Sequence, residues 1–169
     1  VWAKLIQNRI SRFIANFYTT VIRGIPELLV IYLIFFGGNA VVMKIAKIFG
    51  YHGYIELNAF TIATIAIAII SATYSSEVLR ASYLSISKGQ LEAARALGMD
   101  KFSIFIKIIA PQVIRYALPG IGNVWQITLK DTSLISVTGL VEIMRQSRIS
   151  SNVEHSPLTF LITAAILYL

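Results

Sequence analysis

Cysteine is absent from the 169 residues, and charge is scarce, with Asp, Glu, Lys and Arg together making 14% of the chain. The missing thiols exclude a disulfide scaffold and any zinc site built on cysteine. The shortage of charge excludes an ordinary water-facing surface, because soluble domains carry about 25% charged residues. The two histidines, His52 and His155, stand singly in stretches that read as loops, which argues against a metal role. A glycine-rich phosphate loop of the Walker type is also missing, so the chain is not expected to bind ATP itself.

What is present is apolar. Hydrophobic residues make up 56% of the chain and the mean hydropathy is +0.72, so lipid is the natural solvent. The net charge of +7 and pI near 9.8 would suggest nucleic acid in a soluble protein. Here the basic residues flank apolar runs, which points to membrane topology and not to nucleic acid.

A transmembrane helix needs about 20 mostly apolar residues. Residues 28–43 are uncharged between Glu27 and Lys44, with Pro26 suited to a helix start, and predict a span over 26–46. Residues 57–76 are uncharged between Glu56 and Glu77 and predict a span over 57–84. Its alanines at 59, 63, 66, 68 and 72 suit close helix packing. Residues 116–129 and 132–141 are each too short to cross alone. Joined across Lys130-Asp131, they predict a span over 116–140 interrupted by a charge pair at membrane depth. A last span opens at 157–169. Between the spans, 50–54 reads as an interfacial link, 142–156 as a polar loop, and 85–112 as an amphipathic segment outside the hydrocarbon. The chain starts at Val1 and ends within an apolar run, and so reads as a fragment. The expected fold is all-α, a polytopic membrane helix bundle.

Orientation follows from the excess of basic residues on the cytoplasmic side. One side holds ten, namely Lys4, Arg9, Arg12, Arg23, Arg80, Lys88, Arg95, Lys101, Lys107 and Arg115. The other holds four: Lys44, Lys47, Arg145 and Arg148. The segment 85–112 is therefore expected to face the cytoplasm.

That segment carries the most specific pattern in the chain: Gly89-Gln90-x-Glu92-Ala93-Ala94, Gly98, Ile108 and Pro111. It resembles the EAA signature of ABC importer permeases, E-A-A-x3-G-x9-I-x-L-P, with Ala110 standing where the pattern has leucine. Small Ala93 and Ala94 let backbones approach, Gly98 permits a sharp turn between two short helices, and Pro111 suits the start of the next helix. Glu92 suits a helix cap or a pair with a basic residue. The likeness runs on through Gln7-Asn8-Arg9, Tyr18-Thr19-Thr20, Arg23-Gly24-x-Pro26, residues 115–123, Trp125-Gln126 and residues 130–134. These stretches are similar to the polar amino acid branch of that family, with its histidine/lysine/arginine/ornithine, octopine and nopaline permeases, and cover nearly the whole chain.

The resemblance implies one ABC type-1 permease domain over 1–169, truncated at both ends, with about four of five spans. It implies a bacterial inner membrane location and an importer of polar or basic amino acids or opines. The implied partners are a dimer of ATP-binding subunits, a second permease subunit (a paralogue or a second copy), and a periplasmic amino-acid-binding protein. In that scheme the chain is a transport subunit and not an enzyme. It has no cofactor of its own, and ATP is bound by the partner. Residues 85–112 form the coupling segment that docks on the ATPase.

Charges at membrane depth cost about 2.5–3.5 kcal/mol each on insertion scales, so they need partners or water. Glu77, which shares a face with Tyr74 and Ala81, is a candidate gate or pairing residue with Arg80. Its alternative is a salt bridge that merely holds helices. Lys130, Asp131, Thr132 and Ser133 offer a base, an acid and two hydroxyls, a set that can satisfy an amino acid. Their alternative is pairing with the partner permease. Glu27 is expected at a helix N-terminus, where the dipole favours it. An ion-coupled carrier using Glu77 and Asp131 would leave the 89–111 pattern unexplained. An intramembrane enzyme lacks a nucleophile–histidine pair at depth.

Overall fold

The structure is a computed structural model and describes residues 8–51, 53 and 58–168. The expectations for Lys4, Gln7, His52, Tyr54, Glu56 and residue 57 lie outside the described residues.

The described chain is helical. Its helices are α1 (Arg9–Gly24), α2 (Glu27–Ile48), α3 (Ala59–Leu84), α4 (Lys88–Ala96), α5 (Lys101–Ile104), α6 (Ala110–Leu134), α7 (Ile143–Glu154) and α8 (Pro157–Leu167). A π-turn, Phe105–Ile109, joins α5 to α6, and a 3-10 turn, Ile135–Thr138, extends α6. Three helical stretches are long and apolar enough to cross a membrane: Glu27–Ile48, Ala59–Leu84 and Lys101–Thr138. α8 is apolar but only 11 residues long, short of the ~20 that a crossing needs.

Three expectations are corrected. The span read as broken at Lys130-Asp131 is unbroken helix through both residues. The helical ladder is made by backbone N–H and C=O groups, so a charged side chain does not open it. Pro111 does not begin a helix either, because helix already runs from Lys101. In an α-helix its ring would crowd the carbonyl of Lys107. The π-turn contains Lys107, and there the Ala110 N–H reaches back five residues to the Phe105 carbonyl. That wider turn carries the helix past the proline. Residues 142–156 are not a loop but hold α7. Its least exposed side chains include Met144, Ser147 and Ser151, one face at helical spacing. Serines pack well against α8 but carry no hydrophobic signal.

The chain divides into two compact units. The first takes residues 1–20 and 71–125. Its buried residues are Thr73, Ser82, Ile86, Ala94, Ile104, Ala117 and Val124, with Thr19 of α1. α6 approaches α3 closely at Gly120, beside Val78. The second takes residues 21–70 and 126–169. It buries Val30, Ile31, Ile62, Ala63, Ala66, Ile70, Ile135, Ser136, Ser151 and Ala164. Here α7 and α8 form a tight hairpin, turned by His155 in a left-handed conformation with φ 51°.

The entry to α7 is held by side chains. Glu142 caps its N-terminus, accepting from the Met144 N–H at 2.8 Å and the Arg145 N–H at 2.7 Å. The Tyr168 hydroxyl donates to the same carboxylate, and Arg145 donates to the Ser136 carbonyl at 3.4 Å. Losing such a cap costs about 0.5–2 kcal/mol. Glu142→Ala is therefore expected to loosen α7, read as faster tryptic cleavage at Arg145 and Arg148, while Glu142→Asp retains part of the protection. Equal cleavage rates in wild type and Glu142→Ala would refute the cap's importance.

Candidate functional site: the 85–112 segment and the Asp131 cluster

The segment 85–112 is a helix, a turn and the root of the long helix, all within the first unit. Ser85-Ile86-Ser87 links α3 to α4, with Ile86 buried. α4 buries Ala94 and leaves Gly89, Gln90, Glu92 and Ala93 exposed. Its C-terminus is closed by backbone geometry. Gly98 sits at φ 74°, its N–H bonds to the Arg95 carbonyl at 3.0 Å, and the Met99 N–H bonds to the Ala94 carbonyl at 3.1 Å. These two bonds make a Schellman turn, which calls for a residue free to adopt positive φ. The sharp turn expected at Gly98 is therefore present.

Asp100 then starts α5. Its carboxylate accepts from the Phe102 N–H at 3.0 Å and the Ser103 N–H at 3.2 Å. Bonding from Ser103, side chain first and then backbone, holds the Asp100 carboxyl below the usual carboxylate range. It is charged at neutral pH, where it favours the helix N-terminus. This cap was not anticipated, although an aspartate three residues ahead of a serine before an apolar run is a readable signal.

The two arms enclose an open groove of about 360 Å³, lined by Gln90, Ala93, Ala94, Leu97, Met99, Lys107, Ile108 and Gln112. Of the anticipated coupling residues, Gln90, Ala93, Ala94 and Ile108 meet here. Gly89, Glu92 and Pro111 are exposed around the segment. Leu97 is 82% exposed, an apolar knob at the tip of the turn. Gln112, Leu97, Met99 and Lys107 were not anticipated. Gln112 in particular meets Gln90 from 22 residues away, beyond the reach of local pattern.

Glu77 pairs with Arg80 one turn on, at 3.5 Å, as the spacing suggested. It belongs to the first unit, whereas Lys130, Asp131, Thr132 and Ser133 belong to the second. Of these four, Lys130 is exposed and Asp131 half-buried. Thr132 donates its hydroxyl proton to the Leu129 carbonyl and Ser133 to the Lys130 carbonyl, both at 2.6 Å. Their hydroxyls can therefore accept from a ligand but are already committed as donors. Glu27 starts α2, as expected, and lies in the same unit as Asp131. Two carboxylates in one region suit a cation. Glu27 was anticipated only as a helix-terminal charge, because nothing in linear sequence links it to residue 131. Among the described residues no group of three or more His, Asp or Glu is arranged to hold a metal.

Comparison with known proteins gives a consistent result. The family model described as "binding-protein-dependent transport system inner membrane component" matches residues 1–169. The octopine transport system permease of Rhizobium radiobacter is 49% identical over 92% of this chain, and the chain spans 65% of that protein's length. The nopaline transport system permease of Agrobacterium fabrum is 48% identical, over 99% of this chain and 71% of its own length. The histidine/lysine/arginine/ornithine transport system permease of Escherichia coli is 36% identical, over 98% of this chain and 72% of its own. A solved structure of an amino acid ABC transporter with histidines superposes with a TM-score of 0.80 at 32% identity, covering 99% of this chain and 72% of that one.

Proposed function

Because this chain belongs to the family of binding-protein-dependent transport system inner membrane components, we propose that it is the permease subunit of an ATP-driven importer of polar or basic amino acids or opines. The observation that carries the proposal is the build of the coupling segment. A nine-residue helix, α4, is fixed at one end by the Gly98 turn and the Asp100 cap, and it presents Glu92, Ala93 and Leu97 to a partner.

On this reading residues 1–169 form one permease domain of the bacterial inner membrane, with 85–112 on its cytoplasmic side. A dimer of ATP-binding subunits binds and hydrolyses the nucleotide, so this chain needs no cofactor and catalyses no reaction. A periplasmic amino-acid-binding protein delivers the substrate. A second permease, a paralogue or another copy, completes the pathway. Gly89, Gln90, Glu92, Ala93, Ala94, Gly98, Ile108 and Pro111 form or support the docking surface. Asp131 and Glu27 provide negative charge for a cationic substrate, and Lys130, Thr132 and Ser133 flank them. Glu77, tied to Arg80, acts as a gate. The substrate class is supported by the relatives, whose names cover octopine, nopaline and basic amino acids.

Glu92→Lys and Gly98→Trp test the docking. A side chain at Gly98 meets nothing within 4 Å in this chain. A non-glycine residue at positive φ costs about 1–2 kcal/mol, too little to unfold a bundle. The indole would instead fill the space a partner needs. Both variants are expected to insert normally yet to lose uptake and substrate-stimulated ATPase activity. Uptake that survives both substitutions would overturn the proposal.

A further inference from the structure

We propose that Gln112 is a positioning residue for coupling, a latch that ties the N-terminal end of α4 to the long helix so that the two move as one body. The inference rests on the docking reading above and adds a residue outside the docking motif.

α4 is anchored unequally. Its C-terminal end is held by the two backbone bonds of the Gly98 turn. Its N-terminal end follows the short link Ser85-Ile86-Ser87, which is held to the end of α3 by the Ser85 and Ile86 N–H groups and by buried Ile86, and not to the long helix. Between α4 and the root of the long helix lies the open groove, so apolar packing alone does not set the angle between them. Force applied to α4 by a partner would swing it about the Gly98 turn instead of moving the helix beyond.

Gln112 bridges that gap. Its Nε2 donates to Gln90 Oε1 at 2.9 Å and to the Ile108 carbonyl at 3.0 Å. Gln90 stands in the first turn of α4, at the end away from the Gly98 turn. The carbonyl of Ile108 can only accept, so the amide must turn its nitrogen toward it. That orientation decides that Gln90 offers oxygen. The second bond also seats Gln112 on the π-turn, the irregular piece of the long helix where a change in pitch is least costly. The latch and the Gly98 turn thus hold α4 at both ends, and a push on α4 reaches the long helix as a push on its root.

The test uses the assembled importer in vesicles, reading substrate transported per ATP hydrolysed. Gln112→Leu keeps the shape and removes the donor. It is expected to leave the ATPase bound while the ratio falls about 2- to 10-fold, the factor that one net hydrogen bond sustains. Gln112→Lys retains a donor and is expected to keep most of the ratio. The chain has no cysteine, so Gln90→Cys/Gln112→Cys is a clean pair for a short thiol cross-linker. That variant is expected to be uncoupled until cross-linked and to recover coupling afterwards, with ATPase binding by the Gln90→Cys single variant as the control for the place of Gln90 on the docking surface. The latch is refuted if Gln112→Leu couples like wild type, or if cross-linking restores nothing. It is equally refuted if Gln112→Leu releases the ATPase, since Gln112 would then be a docking residue. Failure of the docking reading looks different: Glu92→Lys and Gly98→Trp would transport normally, whatever the Gln112 variants do.

Discussion

Replacing Gly120 with leucine is expected to leave little folded protein. A Cβ at this position lands 2.6 Å from Val78 Cγ1, 3.2 Å from Cγ2 and 3.5 Å from Cβ. Both methyls of Val78 crowd this point, and valine in a helix has one strongly preferred rotamer. A side chain at residue 120 therefore forces Val78 off that rotamer or the two helices apart. Overpacking a core with extra methylenes costs about 1–3 kcal/mol and occasionally more, and leucine adds several carbons at a point already in contact. Membrane helices associate through close backbone contact at small residues, so separation removes the interaction that holds them. Gly120→Ala should lower the thermal stability of detergent-solubilised protein by several degrees, and Val78→Ala in the same chain should restore most of it. Gly122 is the control. It meets nothing within 4 Å, and alanine there should be neutral or slightly stabilising, because glycine costs about 1 kcal/mol in a helix interior. If Gly120→Ala is as stable as wild type without help from Val78→Ala, the close approach is wrong.

Asp131→Ala is the second large effect, and it concerns transport instead of stability. Asp131 is half-buried in the second unit, which also holds Glu27. Two acids are costly to keep together unless a cation meets them. Thr132 and Ser133 on the same turn donate to the Leu129 and Lys130 carbonyls. On the proposed pathway, a substrate with a cationic side chain would meet these acids. A charge-assisted bond is worth about 1.5–3 kcal/mol, which corresponds to about a 10- to 150-fold change in affinity at 1.4 kcal/mol per decade. Asp131→Ala should raise KM for a basic amino acid by that factor and affect a neutral polar one much less. Glu27→Gln should act in the same direction. Unchanged KM for both substrates would remove Asp131 from the pathway.

The apolar runs foretold the spans at α2 and α3 to within about two residues, because length and lack of charge suffice to mark a helix that crosses lipid. At the third span they placed a crossing, 116–140, that falls largely within the helical stretch Lys101–Thr138, but misjudged its continuity. Counting charge treated Lys130-Asp131 as an interruption, but side-chain charge affects the cost of lipid contact and leaves the helical backbone closed. The same rule missed α7. That helix is specified by the Glu142 cap and by a face of Met144, Ser147 and Ser151 that packs on α8, and neither is an apolar run. The turn at Gly98 was legible because a positive φ is a local demand on one residue. The Gln90–Gln112 bond was not, because two exposed-looking amides 22 residues apart carry no shared local signal.

By itself, then, the amino-acid sequence determined the solvent, the helical class, the two clearest spans and the glycine turn that ends the short helix α4. Each of these depends on free energies set within a few neighbouring residues. The tertiary structure alone decided which glycine sits against Val78, which unit holds Asp131 together with Glu27, and which side chain of the long helix meets Gln90. Those follow from which helix surfaces meet, and that is settled by packing between residues far apart in the chain.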